Sequence, residues 1–123
     1  MNEIKLRQEL KVFHGTSRYY KHLFPGKSPI LLTDGTKYVR DEFKANWLFD
    51  DILIYQDEPV LKKVYFQIWE LQRLKKDLTW LLTCKEDTNK KVLISQSIEF
   101  SDFPLDYIRI WVIGSVALLP SEY

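Results

Sequence analysis

Cys84 is the only cysteine in 123 residues, which excludes an internal disulfide and any paired-cysteine metal or redox motif. Glycine is equally scarce. Four scattered glycines form no phosphate-cradling loop, and no Gly-x-Ser-x-Gly elbow occurs. The longest apolar stretch, Ile110 to Leu119, is broken by Gly114 and Ser115 and has about half the length of a membrane-crossing helix. Met1-Asn2-Glu3 leads directly into charged residues rather than a basic and then apolar leader. A cytoplasmic protein without membrane attachment is the expectation. With two histidines, His14 and His22, and one cysteine, no zinc spacing is available.

Aromatic and apolar residues, by contrast, are plentiful. Aromatics make up 15% of the chain and hydrophobic residues 46%, which places it among globular proteins. Its length suits one domain, residues 1–123, large enough to bury a core without metal or disulfide. Net charge is +1 but unevenly spread. Met1–Arg40 carries +5, Asp41–Val60 −5, Leu61–Lys91 +4 and the remainder −3. Such alternation is expected where successive elements face and neutralise one another.

Period changes along the chain. Asn2 suits the cap of a helix carrying Ile4, Leu6, Leu10 and Phe13, closed near Gly15. Thr16 or Ser17 suits the cap of a second, short helix running to Phe24. Ile30–Thr33 reads as a strand ending in the Asp34-Gly35 turn. Lys37–Gln56 reads as the main helix, with Val39, Phe43, Trp47, Leu48, Ile52 and Tyr55 on one stripe. From Val64 the pattern is strand-like. Phe66, Ile68 and Glu70 share one face and Tyr65, Gln67, Trp69 and Leu71 the other. Lys75-Lys76-Asp77 is a polar break before a strand over Leu78–Lys85. Further strands are expected over Val92–Phe100, Tyr107–Ile113 and Val116–Leu119. The pattern predicts an α+β fold: N-terminal helices packed on one face of an antiparallel sheet of about four to five strands.

Four motifs carry a resemblance: Phe13-His14-Gly15-Thr16 with Tyr19-Tyr20; Thr33-Asp34-Gly35 with Lys37-Tyr38 and Trp47-Leu48-Phe49-Asp50; the Phe66-Gln67-Ile68-Trp69 strand; and Ser101-Asp102-Phe103-Pro104-Leu105 with Leu119-Pro120-Ser121-Glu122-Tyr123. In order and spacing they resemble a family of small bacterial proteins catalogued as a domain of unknown function. The resemblance implies a stand-alone domain and no particular chemistry.

The residues themselves offer several sites. Cys84 with His14, or His14 near Asp34, would supply hydrolytic chemistry. Cys84 lies in an apolar strand, however, where a thiol acts as a small hydrophobe. Asp50-Asp51 with Asp57-Glu58 offers oxygen ligands or simply a wet acidic face. Lys5, Arg7, Lys11, Arg18, Lys21 and Lys27, interleaved with Tyr19 and Tyr20, offer phosphate contacts and stacking surfaces for nucleic acid. No complete catalytic set emerges, and neither a metal nor a cofactor is expected. The leading reading is a non-enzymatic interaction protein with a protein partner, working through whichever sheet face the helices leave open. Nucleic-acid binding by the basic N-terminal segment is the alternative.

Overall fold

Residues 67, 69 and 71 alternate with 66, 68 and 70 between the two faces of a strand, and this alternation organises the computed structural model, which describes residues 3–74 and 79–123. The element order is α1 (Glu3–Leu10), β1 (Tyr20–His22), β2 (Ile30–Leu32), α2 (Asp34–Glu42), α3 (Asn46–Tyr55), β3 (Phe66–Arg73), β4 (Trp80–Lys85), β5 (Val92–Ile98), β6 (Tyr107–Ile113) and β7 (Val116–Leu118), then a 3-10 turn over Pro120–Glu122. The fold is α+β, as the sequence predicts. The sheet differs from expectation. It has seven strands, in the order β1-β2-β7-β6-β3-β4-β5, and it is mixed because β2 runs parallel to β7.

The unexpected strand β1 and the parallel pairing have simple causes. The segment expected to be a helix from Thr16 to Phe24 is a loop followed by β1, antiparallel to β2. Three residues of β1 are too few to show a period. β2 and β7 are equally short and meet as parallel neighbours through tertiary contact alone, which no turn signal announces. The order β6-β3-β4-β5 is a Greek key: a meander whose fourth strand returns beside the first. The return passes through Phe103 and Leu105, both buried, and Phe103 packs edge-on against Phe43 and Trp80.

The expected single helix over Lys37–Gln56 is two helices. Lys44 between them takes a left-handed φ of 52°, and neither glycine nor proline marks the break. The first helix begins at Glu3 and stops at Leu10, short of Gly15; the proposed Asn2 cap and the Lys75-Lys76-Asp77 break lie outside the described residues. In β5 a bulge opposite Cys84/Lys85 brings Val92 beside Lys85 and off the face shared by Ile94, Gln96 and Ile98.

The core lies between one sheet face and the helices. Leu32, Trp69, Leu71, Leu82, Ile110 and Val112 meet Val39, Leu48, Phe49, Ile52 and Leu53, all nearly or wholly excluded from water. Trp47 sits on the flank of the α3 stripe and is only half-buried, where full burial is the sequence expectation. The charge blocks partly neutralise one another across elements: Lys27 bonds Asp57 at 2.7 Å, and Arg73 lies 3.6 Å from Asp106. Among the described residues no helix is long and apolar enough to cross a membrane.

Trp69 is 1% exposed and its indole N–H donates to Gln67 at 2.9 Å. Trp69→Ala is expected to cost about 3–5 kcal/mol in urea unfolding, and Trp47→Ala clearly less. Equal costs would place Trp47 in the core after all.

Candidate functional site

The first amides of a helix have no partner within it. At the start of α2 each finds one elsewhere. Asp34 N–H donates to Thr16 Oγ1 at 2.9 Å, Gly35 N–H to Glu122 Oε2 at 3.0 Å, and Thr36 N–H to the Thr33 hydroxyl at 3.3 Å. Lys37 N–H, bonded to Thr33 O, opens the helical ladder. Thr33 is the cap, and the Thr36 hydroxyl reciprocates by accepting from Thr33 N–H at 2.9 Å.

Glu122 is the centre of this arrangement, a latch between the C-terminal turn and the start of α2. The carboxylate is 8% exposed and accepts from the Thr33 hydroxyl at 2.6 Å, Gly35 N–H and, at 2.9 Å, Leu119 N–H. An anion at a helix N-terminus is favoured by the dipole as well as by these donors. The fit is close enough to require glycine: a Cβ at Gly35 would stand 2.6 Å from Glu122 Oε1 and 2.7 Å from Leu119 Cδ1. Asp34 faces outward instead, where Ser17 N–H, the Ser17 hydroxyl and the Tyr20 hydroxyl donate to its carboxylate. These donors, the Ser17 amide first, hold the Asp34 carboxyl below the usual carboxylate range. Residue order predicts that Tyr123 packs on the body and that Glu122 takes donors from a neighbouring turn or Arg109; the donors come from the α2 turn and Leu119, while Arg109 is bonded to Glu70.

The other candidates are placed as follows. His14 is exposed and makes none of the bonds to Asp34. Cys84 is fully buried, and burial pushes its thiol up to about 12, far from a nucleophilic thiolate. His22 is buried with Nε2 2.8 Å from Asp50 Oδ1 and Nδ1 3.2 Å from Arg40. A guanidinium can only donate, so Nδ1 accepts and the ring hydrogen sits on Nε2, which leaves neither nitrogen for catalysis. Asp50 is held by His22 and Asn46 and Asp57 by Lys27, and no metal-holding group of acids, histidine and cysteine occurs among the described residues.

The basic residues do not converge on one groove. Lys5 is exposed on α1, where Arg7 pairs with Glu3 at 3.0 Å. Lys11 is exposed past its end, Arg18, Tyr19 and Lys21 are exposed at and beside β1, Tyr20 donates to Asp34, and Lys27 bonds Asp57.

Opposite the helices lies a sheet face that no helix among the described residues covers. Register puts Leu31, Val116, Ile113 and Phe66 in one row across it, and Leu118, Trp111, Ile68 and Lys85 in the next. Phe66 and Trp111 pack with their rings tilted and centroids 5.1 Å apart, and the Tyr123 ring joins them at 6.0 and 5.4 Å while remaining 77% exposed. This packing of Tyr123 on the body agrees with expectation. In the following row Glu70 accepts from the Tyr107 hydroxyl and, at 3.3 Å, from Arg109, with Lys85 at 4.0 Å. Burial raises the Glu70 pKa, and Tyr107, Arg109 and Lys85 more than reverse this, so the carboxyl ends below its ordinary value. Strand parity places Glu70 beside Phe66 and Ile68, but its partners on β6 depend on a register that the sequence does not display. Phe66, Ile68 and Trp111 also line a hollow of about 440 Å³ whose rim is Glu86, Asp87 and Thr88 of the β4–β5 hairpin.

Glu122→Ala strands three donors at the latch and is expected to cost about 3 kcal/mol or more. Gly35→Ala should be similarly damaging through the clash, and denaturant midpoints of both variants check this. Asp51 carries the opposite sign of strain. Burial and the neighbouring Asp50 charge raise its pKa, only partly offset by Gln96. Its folded pKa being the higher, the folded state binds the proton more tightly, and ionisation withholds stability at neutral pH. Asp51→Asn should therefore stabilise at neutral pH, with the gain fading as pH falls through the carboxylate range; thermal melts against pH measure it.

No curated protein and no solved structure matches the chain. A family model does, over residues 4–123, and it spans every motif gathered at the latch and on the open face. The chain belongs to the family of unknown function DUF6876.

Proposed function

We propose that this chain is a non-enzymatic, cytoplasmic interaction protein that holds a protein partner on the open face of its sheet. The observation carrying the reading is the aromatic hollow of Phe66 and Trp111, rimmed by Glu86 and Asp87. Aromatic faces beside carboxylates suit a lysine or arginine side chain, whose stem lies on Ile68 and whose charge meets ring and acid together. Lys85, opposite Ile68 on the neighbouring strand, is engaged by Glu70 and does not fill this role. The partner is therefore a protein segment that lays a basic side chain into the hollow and apolar residues along the row of Ile113 and Val116.

The buried thiol of Cys84 and the fully occupied His22 support a non-enzymatic reading. Nucleic-acid binding through the N-terminal segment is the second reading, favoured by Arg18, Tyr19 and Lys21 standing exposed together, with Tyr19 at 59%.

Affinity capture from cells followed by cross-link mapping tests the proposal. The expected result is a partner cross-linked to the hairpin tip through a basic segment. Glu86→Lys with Asp87→Lys should weaken it about tenfold while leaving melting unchanged. A partner bound on the helix side, or one indifferent to the double reversal, would contradict it. Salt-sensitive binding of single-stranded nucleic acid, lost in Lys11→Glu or Lys21→Glu, would favour the second reading.

A further inference from the structure

The two edges of the sheet are unequal. β1 has three residues and carries Lys21, so it is protected by shortness and charge. β5 has seven residues, Val-Leu-Ile-Ser-Gln-Ser-Ile, without charge or proline. Its one protective device is the bulge at its beginning, which leaves Ile94–Ile98 in regular register against β4.

The direction of the backbone groups on that stretch follows from the neighbouring ladders. Leu74 N–H bonds Thr79 O at 2.8 Å, so odd-numbered residues of β4 point their amides and carbonyls toward β3, and even-numbered ones toward β5. Trp80, Leu82 and Cys84 therefore exchange bonds with Ile98, Gln96 and Ile94. The amide and carbonyl of Ser95 and Ser97 consequently point away from the sheet, and both residues are exposed.

We propose that β5 is a self-pairing edge: two copies of this chain join antiparallel through β5, about a twofold axis at Gln96. In that register Ser95 faces Ser97 of the other copy, twice, and every outward backbone group of the regular stretch is bonded. Ile94 faces Ile98 on the helix side. Val92, 44% exposed, and Phe100, at 83% the most exposed large apolar side chain among the described residues, flank the paired stretch at its two ends. Lys91 and Glu99 bracket the paired stretch, so antiparallel pairing brings a lysine of one copy toward a glutamate of the other at both ends. No like charges meet. The union makes one continuous sheet and sets the two open faces side by side. It is independent of the partner reading above, since it uses the edge and not the hollow.

Sedimentation velocity over a concentration series tests the inference on the full chain. The wild type should form a reversible dimer. Ser95→Pro removes an outward amide at an edge position that tolerates proline, and should give a folded monomer, checked by circular dichroism. Lys91→Glu should weaken the dimer about tenfold, and Lys91→Glu with Glu99→Lys should restore it. Gln96→Cys should form a disulfide across the axis under mild oxidation, since directly opposed residues lie within bridging distance. A wild-type monomer at all concentrations, or a dimer indifferent to both Ser95→Pro and Lys91→Glu, would overturn the proposal.

Discussion

A buried carboxylate closing the start of a helix is the constraint on which the fold depends. Glu122 fills the N-terminus of α2 from the far end of the chain, and the same turn receives Thr16 from the segment before β1. Thr36 extends the junction by donating to Ala117 O at 2.8 Å. Three stretches distant in sequence are thereby fixed around one helical turn. Their mutual placement sets β2 beside β7 in the parallel pairing, which no short connection could impose. The Asp34-Gly35 segment, which reads as a turn, and the C-terminal Glu122 are two halves of one capped helix end.

From that junction the rest of the architecture follows by ordinary packing. β7 hangs on β6 through the Gly114-Ser115 turn, β6 lies against β3, and the β3-β4-β5 meander completes the sheet. Helices α2 and α3 cover one face. The Greek-key return brings Phe103 beneath Phe43, closing the core at the end farthest along the return loop. The opposite face keeps its aromatic row and its Glu70 cluster in contact with solvent, and this asymmetry supports an interaction role.

Much of this is legible from residue order. The strands from Phe66 onward alternate cleanly, and parity assigned Trp69 and Leu71 to one side and Phe66 and Ile68 to the other. The break at Lys44 was not legible, because a lysine in the left-handed region leaves no signature. β1 was hidden for a different reason: three residues between polar neighbours carry no period, and the capping signals at Thr16 and Ser17 are real but serve α2 across space. The same residues that suggest a local cap are acceptors and donors for a distant one. Of the open-face site, parity revealed the membership of single strands, while the register joining Glu70 to Arg109 and Trp111 to Ile68 is a tertiary fact.

With Glu122 holding it, the α2 N-terminus should be as stable as the core although it lies at the meeting of loops. Native-state hydrogen exchange at single-residue resolution measures this directly, since exchange free energies separate local opening from global unfolding. The Gly35 amide, bonded to a buried carboxylate, should exchange only with global unfolding, at the same free energy as the amides of Trp69 and Ile110. Exchange of Gly35 through a low-energy local opening, while β3 and β6 stay protected, would show that the junction is an ornament on an independently stable sheet and would contradict the account.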